Sequence, residues 1–122
     1  KYYEHTIKIS KDLKIPQYLC LKADKMKSDS NLKEVLEIYY QAFKLDQSFL
    51  EPLEKIALIF FEDASYDKAI EFFEKYIEKN DKNPDIWFNL HKVYKIKSKG
   101  FFKKNWKIKA EDALKKYESL KL

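Results

Sequence analysis

The chain has 122 residues with a net charge of +5, and 45% of its residues are hydrophobic and 16% aromatic, which excludes a disordered chain. No apolar run approaches the roughly 20 residues that a membrane-spanning helix needs, and a single cysteine excludes an internal disulfide. One glycine and three prolines give little turn material for a sheet, so the sequence predicts a single all-α domain over residues 1–122.

The N-terminal third predicts half of a repeat followed by a helical hairpin. In residues 1–13, the run Tyr2-Tyr3-Glu4-His5-Thr6-Ile7 is similar to the later run Phe72-Phe73-Glu74-Lys75-Tyr76-Ile77. The first helix of that repeat is missing and the sequence begins without methionine, so we expect a fragment of a larger protein. A hairpin over residues 16–45 follows, opened by Pro16 at a first helical turn.

The middle of the chain predicts a second hairpin over residues 50–81. Leu53, Ile56, Ala57 and Phe60 lie at i, i+3, i+4 and i+7, which is one face of a helix. A second apolar face at helical spacing follows a polar turn, and it consists of Ala69, Ile70, Phe73, Tyr76 and Ile77.

The last part, residues 84–121, predicts an atypical hairpin with a long turn. Its first helix runs from Asp85 to about Lys97, and its second helix begins about three residues later than the repeat spacing requires. The extra residues, 98–104, include the only glycine, Gly100. We expect the final helix to pack displaced from its counterparts, with Trp106 covering the open end of the core.

These hairpins repeat with a period of 34 residues, since Leu19, Leu53 and Trp87 are in step, as are Ala23, Ala57 and His91. The central hairpin resembles the tetratricopeptide repeat (TPR) family in its order of large, small and aromatic residues, carried by Leu53, Ile56, Ala57, Phe60, Tyr66, Ala69, Phe73 and Tyr76. Tyr76 is larger than the family's usual alanine, and His91 replaces a glycine or alanine. The resemblance implies an α-solenoid of about three antiparallel helical hairpins plus the N-terminal half-repeat, acting as a non-enzymatic protein-binding module.

A second stripe on the first helices of the hairpins is a candidate binding surface. The stripe of the central hairpin is Glu54, Leu58 and Phe61, and its two apolar residues occupy a face that hairpin packing does not need. In the next copy the same stripe is Phe88, Lys92 and Lys95. In TPR proteins this face lines a concave groove for an extended or helical peptide. The resemblance implies a groove lined by Cys20, Asp24, Leu58, Phe61, Phe88, Asn89, Lys92 and Lys95. Alternatively, Leu58 and Phe61 belong to the core and the C-terminal helix covers them.

The sequence contains no catalytic motif. There is no glycine-rich phosphate loop and no cluster of cysteine and histidine, and the two histidines, His5 and His91, are 86 positions apart. His91 is interpreted as a helix residue, and Cys20 as a small apolar filler. We therefore predict no enzyme activity, no metal and no cofactor.

Positive charge is concentrated at the C-terminal end. Residues 95–122 contain ten lysines and three acids, an excess larger than that of the whole chain. The predicted basic patch surrounds Phe101, Phe102 and Trp106, and its lysines are Lys97, Lys99, Lys103, Lys104, Lys107 and Lys109. Such a patch suits an anionic membrane surface, nucleic acid or an acidic protein.

Three alternatives stay open for the role of this patch and of the chain. All 25 basic residues are lysine, and the absence of arginine, the usual choice for bidentate recognition, makes nucleic acid the least favoured partner. A second alternative is that the patch binds nothing and is a solvated, lysine-rich turn whose aromatic rings pack inward. The whole chain could also be a structural segment that assembles with a missing N-terminal part. The sequence indicates no cellular compartment.

Overall fold

The computed structural model describes residues 15–27 and 31–122, and within them it contains six helices and no strand. The helices are α1 (Ile15–Met26), α2 (Leu32–Leu45), α3 (Glu51–Glu62), α4 (Tyr66–Lys79), α5 (Pro84–Lys97) and α6 (Lys103–Lys121). They form consecutive helical hairpins, which confirms the predicted all-α class and is consistent with an α-solenoid of TPR-like hairpins. The half-repeat predicted over residues 1–13 lies outside the described residues, as do residues 28–30 of the first turn.

Contacts concentrate in two units, Lys1–Ile56 and Ala57–Leu122, with the division inside α3. In the first unit, α1 packs on α2. The Asn31 side chain caps α2 by accepting a hydrogen bond from the Lys33 amide at 2.8 Å, because the first amides of a helix have no partner within it. The helical face of α2 that the sequence pattern predicts is buried, since Val35, Tyr39 and Ala42 are at most 1% exposed. That residues 1–122 form a single domain stays a prediction.

The second unit contains the end of α3 and all of α4, α5 and α6. Ala57 on α3 and Ala69 on α4, the two small residues of the central repeat, are both 0% exposed. Phe60 and Phe72 stack between the same helices, with ring centroids 5.9 Å apart. The burial of both alanines is consistent with the close helix crossing that the TPR-like pattern predicts, and the crossing itself stays a prediction.

The turn after α3 is closed by two backbone hydrogen bonds. The Ser65 amide donates to the Phe60 carbonyl at 2.8 Å, and the Ala64 amide donates to the Phe61 carbonyl at 3.1 Å. This pair of bonds is a Schellman motif, which satisfies the last carbonyls of a helix and places the residue after its end in the left-handed region. Ala64 occupies that position with φ = 60°.

The last hairpin is the most individual part of the second unit. Residues 98–102 connect α5 to α6, and α6 begins at Lys103. Ala110 and Ala113 form the buried face of α6, at 5% and 1% exposure. Trp106 is half-buried and lies against Tyr94, with ring centroids 5.9 Å apart. The indole is therefore partly covered by α5, and whether it covers an open end of the core stays a prediction.

Candidate functional site

An aromatic–lysine cluster forms where α3, α5 and α6 of the second unit meet. We use this name for Phe61, Phe88, Lys92 and Tyr117. The Lys92 Nζ lies 5.5 Å from the ring centroid of Phe61 and 5.4 Å from that of Phe88. An ammonium at this distance from an aromatic face is attracted by the ring quadrupole, by about 0.5 to 1 kcal/mol at an exposed site. Lys92 thus links the two rings that the sequence assigned to one stripe.

Neighbouring aromatic side chains hold the cluster in place. Tyr66 meets Phe61 edge to face at 5.8 Å, and Tyr117 of α6 lies 4.9 Å from Phe88. Phe61 is half-buried, whereas Phe88 is 39% exposed. Tyr117 of α6 thus covers one part of Phe88, whereas the alternative in which the C-terminal helix covers Leu58 and Phe61 stays untested. The cluster therefore combines fixed rings, exposed apolar area and one accessible positive charge.

The other predicted groove residues of the second unit are distributed over two places. Leu58 on α3 and Asn89 on α5 are half-buried. Lys95 is exposed but does not join the cluster, because it lines a cleft between α5 and α6 instead. The stripe Phe88, Lys92 and Lys95 is thus divided: the first two lie with Phe61, and the third lies with lysines of α6.

Cys20 and Asp24 belong to the first unit and are engaged there. Cys20 is 1% exposed and its thiol donates to Glu51 Oε2 at 3.4 Å. Burial, and then the charge of Glu51, raises the pKa of the Cys20 thiol above its ordinary value. Asp24 accepts a hydrogen bond from the Tyr39 hydroxyl and lies 3.6 Å from Lys55 Nζ. The Cys20 thiol therefore offers no surface to a partner, and it is a neutral, unreactive side chain.

The predicted basic patch is divided by two acids that sequence reasoning missed. Lys97 Nζ lies 2.8 Å from Asp67 Oδ1, and Lys109 Nζ lies 3.8 Å from Glu74 Oε2. Both lysines also lie over the Trp106 ring, at 5.5 and 5.3 Å from its centroid. Asp67 and Glu74 are seven residues apart on α4, a spacing that places both carboxylates on one helix face and could have indicated a partner for the lysines.

A basic cleft contains three lysines of α6 that those acids do not reach, Lys103, Lys104 and Lys107. It has a volume of about 660 Å³ and lies between α5 and α6. Its lining residues are His91, Lys95, Ser98, Lys103, Lys104, Lys107, Ala110 and Glu111. The sixth residue of the predicted patch, Lys99, is exposed in the turn between the two helices.

His91 has a structural role at the edge of this cleft. Its Nδ1 lies 2.8 Å from the Ala110 carbonyl oxygen. Because a carbonyl oxygen can only accept, Nδ1 carries the hydrogen and donates it. A hydrogen bond from α5 to the backbone of α6 explains why a histidine fits at a position where the TPR pattern has glycine or alanine.

Within residues 15–27 and 31–122, no three or more His, Cys, Asp or Glu side chains come together as a metal would require. None of the helices described is both long and apolar enough to cross a bilayer.

Comparison with known proteins finds two distant relatives. The chain is 29% identical over 70 residues to the photosystem I assembly protein Ycf3 of Synechococcus sp. (strain CC9311), and equally to that of Prochlorococcus marinus (strain SARG). The match covers 55% of this chain and 40% of each relative, so the chain spans about two fifths of the length of these proteins. No protein-family model matches the chain. The relatives are named as assembly proteins, and the helical hairpins are consistent with TPR-like repeats.

Proposed function

We propose that the chain is a non-enzymatic, TPR-like module that binds a partner protein through the aromatic–lysine cluster. The observation that carries this proposal is the geometry of Lys92, whose ammonium lies within 5.5 Å of two aromatic rings while Phe88 remains 39% exposed. Aromatic side chains that are rigid and partly exposed are typical anchors of protein interfaces. The similarity to two assembly proteins supports the same class of function.

The cluster also indicates the chemistry of the partner segment. Phe61 and Phe88 offer apolar surface, so the segment needs an apolar side chain to lie on them. Lys92 has no carboxylate within ion-pair distance among the described residues, which leaves its charge for an acidic residue of the partner. A peptide with an apolar anchor beside an acidic residue satisfies both requirements, and Leu58 and Asn89 are half-buried positions on the same two helices.

The test is a binding measurement with a matched pair of substitutions. A partner captured from a membrane-free lysate of the source cell is identified by mass spectrometry, purified and titrated against the chain. Phe88→Ala should weaken binding by about 1 to 3 kcal/mol if the ring is an anchor. Tyr40→Ala is the control, because Tyr40 is 40% exposed and also has a lysine, Lys44, 5.5 Å from its ring, but belongs to the first unit.

The two variants must first be shown to have wild-type helicity and melting temperature. Equal losses of affinity for Phe88→Ala and Tyr40→Ala would refute the cluster as the binding site. Added salt distinguishes the mechanism, because apolar contacts persist when the Debye length falls from about 10 Å at 0.1 M to about 3 Å at 1 M. Complete loss of binding at high salt would assign the partner to charge contacts instead of the rings.

A further inference from the structure

Two phenylalanines protrude from the turn between α5 and α6. Phe101 is 90% exposed and Phe102 is 77% exposed, the two largest exposed fractions of an aromatic side chain among the described residues. We call residues 99–104 the tip. The sequence left open that the aromatic rings of this turn pack inward; Trp106 is half-buried, whereas Phe101 and Phe102 are exposed. Adjacent large apolar side chains in water are characteristic of a surface that binds something.

The backbone at the tip does not favour phenylalanine. Phe102 has φ = 59° and ψ = 38°, the left-handed region in which a side chain crowds its own backbone. It is also the N-cap residue of α6, where its side chain makes no capping hydrogen bond, and the first turn of α6 contains no acid. An asparagine would tolerate this conformation better than a phenylalanine. Stability of the fold therefore gives no reason for an aromatic residue here.

Lysines without acidic partners surround the two rings. Lys99, Lys103 and Lys104 belong to the tip, and Lys95 and Lys107 flank it on α5 and α6. None of the five has an ion pair with a described residue, in contrast to Lys97 and Lys109, which bind acids of α4. The first turn of α6 adds amides at the positive end of the helix dipole. The tip is thus apolar at its end and positively charged around it.

We propose that the tip docks the chain onto an anionic lipid bilayer, with both phenylalanine rings in the interfacial region and the lysines on the headgroups. A phenyl ring has no polar atom, so transfer of this largely exposed pair from water into an apolar phase is favourable. A bilayer is such a phase, and it accepts the rings without a shaped pocket. The lysines complement the negative surface potential of an anionic leaflet. Nucleic acid fits less well, because the chain has no arginine for bidentate phosphate contacts.

This site is separate from the aromatic–lysine cluster in its residues. Phe61, Phe88, Lys92 and Tyr117 are not part of the tip. Lys95 of α5 lies nearest in sequence to both, and it lines the basic cleft with Lys103 and Lys104. A chain that lost one of the two activities should retain the other, so failure of one proposal leaves the other open to its own test.

The experiment is flotation of the 122-residue chain with phosphatidylcholine vesicles, with and without phosphatidylserine. We expect binding only when phosphatidylserine is present. The double variant Phe101→Ala, Phe102→Ala should reduce vesicle affinity about a hundredfold, since each buried ring contributes about tenfold. Lys103→Gln with Lys104→Gln should reduce it about twenty-fivefold, at about fivefold per lysine.

Two controls separate these effects from loss of fold or of overall charge. Lys68→Gln with Lys79→Gln removes the same charge from exposed positions of α4 and should leave binding almost unchanged. The double variant Phe101→Trp, Phe102→Trp keeps an aromatic ring at both positions, so it should bind vesicles where the double alanine variant does not. Its indole fluorescence should shift to the blue when vesicles are added. All variants are compared by circular dichroism first.

Three results would overturn the proposal. The first is no binding to phosphatidylserine vesicles. The second is binding that survives the double alanine substitution, which would leave charge attraction alone. The third is binding of a single-stranded oligonucleotide or of polyglutamate that the same substitutions abolish, when vesicles do not bind.

Discussion

Raising the pH above about 9 should destabilise the folded chain progressively, because three buried groups resist ionisation in the folded state. They are the thiol of Cys20, with an ordinary pKa of 9.0, and the hydroxyls of Tyr39 and Tyr94, with ordinary values of 10.0. Burial is the main cause that raises each pKa, and a carboxylate beside each group adds to it: Glu51, Asp24 and Glu74.

The direction of the effect follows from where the proton stays. A folded-state pKa above the unfolded value means that the folded chain keeps a proton which the unfolded chain releases. The stability from these groups is complete below their ordinary pKa values and declines as the pH rises past them. Each group then lowers the free energy of unfolding by about 1.4 kcal/mol per pH unit.

The free energy of unfolding that is lost at high pH differs between the two units. Between about pH 9 and about pH 11, Cys20 should remove about 3 kcal/mol and each tyrosine about 1.4 kcal/mol. Cys20 and Tyr39 lie in the first unit, whereas Tyr94 lies in the second. A whole domain has about 5 to 15 kcal/mol of stability. The first unit should therefore unfold at a lower pH than the second.

Two side-chain probes can follow the units separately. Cys20 is the only cysteine, so its reaction with a thiol reagent reports opening of the first unit. Both tryptophans, Trp87 and Trp106, lie in the second unit, and their fluorescence reports its unfolding in urea at each pH. Tyr94→Phe keeps every lysine and removes only the hydroxyl, so it should reduce the pH dependence of the second unit.

A constant urea midpoint in both units from about pH 9 to about pH 11 would contradict this prediction. Rapid reaction of the thiol while the helical circular dichroism is still complete would contradict it as well. A variant Tyr94→Phe with the wild-type pH dependence would exclude Tyr94 as one of the groups responsible.

Two further changes test the packing and the turns. Ala57→Leu should destabilise the second unit by about 1 to 3 kcal/mol through overpacking, and an unchanged melting temperature would count against the repeat register. Ala64→Gly should stabilise it by about 0.5 to 1 kcal/mol, because relief of left-handed strain, about 1 to 2 kcal/mol, exceeds the added flexibility of the unfolded chain, about 0.4 to 1 kcal/mol. Urea unfolding measures both effects, and a lower midpoint for Ala64→Gly would contradict the second.

Helix positions were predictable from the sequence because they depend on local spacing. The apolar residues of α2 and α4 recur at helical intervals, and the faces they predict are buried, as Val35 and Phe73 show. Asn83 followed by Pro84 predicts the start of α5, where the Asn83 side chain accepts a hydrogen bond from the Asp85 amide at 3.0 Å. Periodicity and end signals act within a few residues, so one sequence contains them.

Which residues come together at each surface was less predictable from the sequence, because that depends on which helices lie opposite each other. The basic patch was predicted without Asp67 and Glu74, which contact Lys97 and Lys109 across helices from 30 and 35 residues away in sequence. Cys20 was assigned to a groove by its repeat position, but a hydrogen bond to Glu51 and complete burial depend on packing of α1.

The turn before α6 shows a similar limit. Gly100 is the residue that sequence reasoning associates with an unusual backbone conformation, yet no glycine among the described residues has positive φ. The left-handed position is taken by Phe102 instead. The sequence predicted a long, distorted turn over residues 98–104, and it contained no signal that the left-handed residue would be a phenylalanine.

The two left-handed residues of the second unit differ in what their conformation achieves for the fold. At Ala64 it completes the two hydrogen bonds that end α3 and hold the turn beside Phe61. At Phe102 the backbone accepts a single bond, in which the Trp106 amide donates to the Phe102 carbonyl at 3.3 Å, and the ring stays 77% exposed. The strain at Ala64 is offset by the hydrogen bonds that end α3. At Phe102 a single hydrogen bond offsets little of the strain and of the exposure of the ring. A residue that neither caps nor packs is explained by contact with a partner outside the chain, which is why the tip, and not the glycine beside it, is the place to look for that contact.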